Sequence, residues 1–163
     1  MTHALLAHPT DTVLAGLLAY IREDHAFDFR PLDPDGLTRA AGGKGTTSLL
    51  VGSLQIEVGV ETGRFLYVWG YHPMETWKEA EVLIPQAQPG QISTASLDLK
   101  PGVSEALVEV GEWSTVLDPA TGWVQLGSDQ PLEPESAIEF AQDVVAGVSE
   151  DRLLGLWLRP SFE

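Results

Sequence analysis

The sequence contains no cysteine, which excludes a disulfide framework, a thiolate nucleophile and any cysteine-ligated zinc site. Basic residues are scarce, with 9 Lys and Arg against 24 Asp and Glu and a formal net charge of -15. Such a balance repels phosphate backbones and anionic lipid headgroups, so neither nucleic acid nor a membrane is an expected partner. No run of about 18 apolar residues occurs, and Met1–Ala7 has neither the basic start nor the apolar stretch of a secretory signal. These absences predict a cytoplasmic protein. A Gly-x-Ser-x-Gly elbow for a serine nucleophile is also missing, and no cofactor is called for by any motif.

What is present fits one domain over residues 1–163, with enough apolar material for a real core. Val13, Leu14, Leu17, Leu18 and Ile21 recur at helical spacing, with Thr10 or Asp11 placed as a cap, and predict an N-terminal helix over Thr10–Asp24. Pro31, Pro34, Gly36, Gly42, Gly43 and Gly45 then predict a long, irregular connection, mobile around Gly42–Gly45. Leu54, Ile56, Val58 and Val60 alternate with polar residues, and a turn at Thr62 and Gly63 leads to a second strand, Phe65–Tyr71. Further strands are expected over Glu81–Ile84, Ile92–Leu99 and Trp123–Leu126, the last after a turn at Asp118–Gly122, while Leu107–Val116 fits strand or short helix. Ala137, Ile138, Ala141, Val144, Val145 and Val148 form one stripe of a C-terminal helix over Pro134–Gly147, and Leu153–Leu158 reads as core. The resulting fold class is α+β, an antiparallel sheet of five to seven strands with a helix from each end of the chain packed on it.

Several constellations invite chemistry. Gly42–Thr47 is reminiscent of a phosphate loop, but Thr38 stands where the first glycine belongs and Gly45 replaces the hydroxyl residue after Lys44, which excludes it. Asp24, His25, Asp28, Asp33 and Asp35 offer oxygen and nitrogen donors at a spacing that matches no ligand loop, so no metal is expected, and Asp33–Gly36 reads as a turn. His72, just past a strand with Glu75 or Glu79 nearby, is the one candidate general base and carries the enzyme alternative, one form of which adds a metal on the Asp24–Asp35 cluster. Strict alternation puts Phe65, Tyr67, Trp69 and Tyr71 on one face of their strand and Leu66 and Val68 on the other. The aromatic side is either core or, with Trp77 at its edge, a protein-binding face.

Charge is unevenly distributed. Between Lys100 and Arg152 lie 51 residues with 11 Asp and Glu and no Lys or Arg, so this segment carries -11 of the net charge. On the expected C-terminal helix, Glu135, Glu139 and Asp143 stand at i, i+4 and i+8, where like charges repel. Either the run keeps the protein dissolved or it forms an electronegative patch, within residues 129–151, that attracts a basic protein.

Tyr67–Pro73, Asp118–Trp123 and Leu156–Pro160 together resemble small acidic bacterial toxin-immunity proteins. That resemblance implies a stand-alone, noncatalytic, cytoplasmic inhibitor and assigns no residue a role. The expected order of helix, strand meander and helix is also similar to the secretion-chaperone and YbjN-like fold, whose members dimerise and wrap a polypeptide over an apolar surface. The reading that follows is a noncatalytic module for a basic protein partner, using Glu135, Glu139, Asp143, Trp69, Tyr71 and Trp77, with a homodimer left open.

Overall fold

The computed structural model describes residues 4–95, 98–128 and 132–163. Strands hold 54% of the residues and helices 7%, so the expected α+β layers give way to a mostly β architecture. In chain order the strands are β1 (Ala4–Pro9), β2 (Gly16–Ile21), β3 (Ala26–Pro31), β4 (Thr46–Val51), β5 (Leu54–Gly59), β6 (Phe65–Tyr71), β7 (Lys78–Glu79), β8 (Gln88–Ala95), β9 (Glu105–Val108), β10 (Ser114–Leu117), β11 (Val124–Gly127), β12 (Ser136–Ala141), β13 (Val144–Ser149), β14 (Arg152–Leu158) and β15 (Ser161–Phe162). The α-helix α1 (Pro34–Ala41) lies between β3 and β4.

They form an eight-stranded sheet in the order β1-β8-β12-β13-β14-β11-β10-β7 and a seven-stranded sheet in the order β15-β2-β3-β6-β5-β4-β9. Hairpin neighbours are antiparallel, whereas β8 with β12, β7 with β10, β4 with β9 and β2 with β15 run parallel. The sheets share one core. Leu18, Tyr20, Leu49, Ile56 and Val68 meet Leu5, Ile92, Leu126, Ile138 and Leu156 in a single cluster. Phe65 meets Phe140 edge-to-face, ring centroids 5.5 Å apart. Across one end the sheets are tied together, where Leu14 bridges Ala141 and Gln142 Oε1 accepts from the Gly16 N–H at 3.0 Å.

Both expected terminal helices are strands. Within Thr10–Asp24 the strand Gly16–Ile21 is a continuous apolar run, of which Leu18, Ala19 and Tyr20 are buried while Leu17 stays exposed. Antiparallel pairing with Phe27 and Phe29 of β3, closed by a turn in which His25 takes φ 53, outweighs any local helical preference. Pro134–Gly147 is the β12–β13 hairpin. β13 is buried on both faces, Val144, Ala146 and Val148 against the shared core and Val145 beneath a second layer, so its sequence is a near-continuous apolar run that helical periodicity mimics. With both helices goes the element order on which the chaperone likeness rested.

The helix that does form stands where an irregular connection is expected. Asp33 caps it by accepting from the Gly36 N–H at 3.0 Å, Pro34 opens its first turn, and Gly42 ends it at φ 85. Its Ala40 and Ala41 pack on Leu66. The hairpin of β5 and β6 and the Asp118–Gly122 turn appear as expected, and Leu153–Leu158, expected as core, lies in strand β14 with Leu156–Leu158 buried and Leu153 and Leu154 partly so. Leu107–Val116 resolves into β9, a turn and β10. Residues 81–84 form no strand. There Val82 lies under the eight-stranded sheet's outer face with Trp157 and Val145, held by Asp118, whose buried carboxylate accepts from the Val82 N–H at 3.1 Å. Residues 96 and 97 of the strand expected over Ile92–Leu99 lie outside the described residues. Among the described residues no helix is long and apolar enough to cross a membrane.

Candidate functional site

The three acids expected on one helical face are distributed over a hairpin. Asp143 sits in the two-residue β12–β13 loop at φ 63, where its N–H donates to Glu139 Oε2 at 2.8 Å. Its carboxylate pairs with Arg159 at 2.9 Å, and the guanidinium in turn lies 5.2 Å from the centroid of Trp123. Glu135 stands at the opposite end of β12, roughly 20 Å away at about 3.3 Å per strand residue. Its N–H donates to Ser149 Oγ at 2.9 Å, which places it beside the β13–β14 loop. That loop is Glu150–Asp151, with both residues at positive φ, 51 and 65. Glu135, Glu150 and Asp151 are all exposed there, and none has an ion pair among the described residues. Asp129, in the same acidic segment, lies outside the described residues.

Strand β6 departs from strict alternation. Opposite Glu57 and Val58 stand Tyr67 and Phe65, so Leu66 is an extra residue, a β-bulge that turns Phe65 to the shared core together with Val68. Leu66 instead packs under α1, and Tyr67 stacks on Phe29 at 5.6 Å. Trp69 and Tyr71 are left exposed, Tyr71 at 57%. Trp69 donates from Nε1 to Glu57 Oε1 at 3.0 Å, and Glu57 also accepts from the hydroxyls of Thr46 and Ser48. Burial and the neighbouring charges of Glu57 and Asp28 push the Tyr67 hydroxyl pKa above its ordinary value. Trp77 does not share this face: it packs in the core rim against Tyr20 and stacks on Phe27 at 5.9 Å.

His72 closes β6 and lines a cavity of about 430 Å³ between the ends of the two sheets. Its N–H donates to the His25 carbonyl at 2.7 Å and its carbonyl accepts from the Tyr20 hydroxyl at 2.8 Å, which fixes the backbone. The ring lies 5.7 Å from Trp77 and 6.1 Å from Phe27. Nε2 is 2.7 Å from Thr115 Oγ1 and Nδ1 is 3.2 Å from Ser53 Oγ. Burial pushes the His72 pKa down to about 4, so the imidazole is neutral at pH 7, one nitrogen donating to a hydroxyl and the other accepting from one. Neither Glu75 nor Glu79 bonds to this ring, and the carboxylate that would orient a catalytic base is replaced by a hydroxyl.

Sequence reading finds His72 but not its partners. Ser53 follows Gly52, at φ 57, in a two-residue hairpin loop between β4 and β5, a signal available in the alternating pattern on either side. Thr115 comes from β10, 43 residues beyond His72 and on the other sheet, and nothing local marks it.

The remaining candidates are structural. Asp33 caps α1, Asp28 pairs with Arg30 at 3.1 Å, and His25 forms the β2–β3 turn. Among the described residues no group of three or more His, Asp or Glu is arranged to hold a metal ion. In the Gly42–Gly45 loop the Gly43 N–H donates to Glu61 Oε2 at 2.7 Å, so an internal carboxylate occupies a donor that a phosphate would need. Compared with models of known families and with curated proteins, the chain matches none.

Proposed function

We propose that this protein is a noncatalytic protein-binding module, an inhibitor of the immunity type or an adaptor, that engages a basic partner through an acidic surface. One observation carries the reading: Glu135, Glu150 and Asp151 gather, exposed and without ion-pair partners among the described residues, at one end of the eight-stranded sheet. Glu150 and Asp151 occupy left-handed backbone positions that Asn and Gly hold at lower conformational energy. Carboxylates kept at such positions favour a role for their charge over a role for the turn. An electronegative end accelerates encounter with a basic surface and selects against acidic ones.

The test is capture of the partner from native lysate by the wild-type chain and by a chain carrying Glu135→Lys, Glu150→Lys and Asp151→Lys. The captured protein is then purified and its association rate measured across a salt series. The reading expects a basic partner whose association at low salt slows by about tenfold or more in the reversed chain. Capture that is indifferent to both salt and charge reversal contradicts it.

A further inference from the structure

Resting on that reading, we propose that the cavity beside His72 is a receptor for a cationic side chain on an apolar stem, a guanidinium or ammonium presented by the basic partner. Two turns frame its mouth. Gly52 and Ser53 form one, and residues 109–112 form the other, with the Glu112 N–H donating to the Glu109 carbonyl at 3.2 Å and Glu112 Oε2 accepting from the Glu109 N–H at 3.2 Å. Because Glu112 is turned back onto its own loop, Glu109 is the lining carboxylate that remains without a bond among the described residues.

The walls suit the stem and the rim suits the head. Val51, Val108 and Leu126 line the interior, and Tyr71 and Trp113 add aromatic surface. Val110, 82% exposed at the tip of the second turn, offers an apolar lip. Among the described residues no Lys or Arg lines the cavity, and His72 carries no charge near pH 7, so Glu109 sets the sign of the local potential. Aromatic faces attract a guanidinium or ammonium, and a Lys or Arg side chain buries its methylenes along apolar walls while its charged head reaches a carboxylate. An anionic occupant meets Glu109 and the net charge of -15. The volume falls within the roughly 300–1,000 Å³ of pockets that hold small ligands, room for one long side chain and part of its neighbour.

The probe is acetyl-leucyl-arginine amide, compared with its citrulline counterpart, which keeps the shape and removes the charge. Each is titrated into the full chain while the His72 ring and Trp113 indole resonances are followed by NMR. The proposal expects saturable shifts at both residues with the arginine probe and none with citrulline at the same concentration. Ser53→Tyr, placed in an exposed turn at the mouth, abolishes the response. Glu109→Gln weakens binding about two- to fivefold, as removal of an exposed ionic contact does; being a surface change it still decides the matter if Ser53→Tyr fails to fold. Equal shifts with citrulline, shifts that survive both substitutions, or silence at both residues overturn the assignment. Capture of a basic partner with His72 and Trp113 silent refutes the cavity alone, whereas a probe response without any captured partner upholds the cavity and refutes the module.

Discussion

The two ends of the β12–β13–β14 meander are built from the same kinds of residues and come to opposite arrangements. Each has a two-residue loop with an aspartate in the left-handed region, Asp143 at one end and Asp151 at the other. At the first end the acid is absorbed by the fold, because Glu139 accepts from its N–H and Arg159 pairs with its carboxylate and covers Trp123. At the second, Glu150 and Asp151 are exposed beside Glu135, and the Asp151 carbonyl accepts from the Leu5 N–H. Carboxylates along one stretch of chain are thus not one surface: Arg159 pairs with the aspartate of one loop, and no ion pair among the described residues holds the aspartate of the other.

Both ends hang on the same buried strands, so the largest expected effect is common to them. Trp157 of β14 is fully buried, packed beneath Val82, and Gly147 lies so close that a Cβ there would approach its Cζ3 to 2.8 Å. Trp157→Ala should lower stability by about 3–5 kcal/mol, read from denaturant midpoints, and should loosen both loops alike in hydrogen exchange. Protection lost at one end alone would show that the meander is not a single cooperative unit.

Acid should act next, and away from either loop. The folded pKa of His72 lies at about 4 against an ordinary 6.5, so between these values the unfolded chain binds the extra proton. Stability therefore rises with pH from about 4 to 6.5, by up to roughly 3 kcal/mol, and the penalty is fully present below about 4. His72→Gln should remove most of that slope; an unchanged slope would transfer it to the carboxylates of the two ends.

Much of this was legible in the sequence. The β5–β6 hairpin and the Asp118–Gly122 turn follow from alternation and turn chemistry, and the apolar run Leu153–Leu158 reads as core, which holds fully for Leu156–Leu158 and partly for Leu153 and Leu154. The C-terminal helix did not survive, because strand β13 is covered on both faces and its run of Val144, Val145, Ala146 and Val148 carries no period of 2 to read. Its β-branched residues and the Gln142–Asp143 break were the better signals. The true helix was readable from Asp33, Pro34 and Gly42 as cap, first turn and stop, but the same residues also spell a turn. At the candidate sites, alternation put Phe65 with Tyr67, Trp69 and Tyr71, and a one-residue bulge at Leu66 undid it. The separation of Glu135 from Asp143, and the meeting of His72 with Thr115, depend on strand pairing that no local pattern encodes.

Smaller effects distinguish the ends from each other. Asp143→Ala removes a partly buried pair with Arg159 and should destabilise by about 1 kcal/mol, whereas Asp151→Ala should lose less. Glu150→Asn with Asp151→Gly places a favoured turn pair at the positive φ values and should stabilise by about 0.5–1 kcal/mol while weakening partner association. Thermal unfolding of the three variants checks the order. A destabilised Asn-Gly variant would mean that the acids hold the turn rather than present charge.

The central claim is that recruiting charge resides at the Glu150–Asp151 end and not at the Asp143 end. It is tested most directly by the dependence of association rate on ionic strength, with the captured basic partner, for wild type, for Glu135→Gln with Glu150→Gln and Asp151→Gln, and for Glu139→Gln. The account predicts a flattened salt dependence in the triple variant and an unaltered one in Glu139→Gln; equal salt dependence in all three proteins would contradict it.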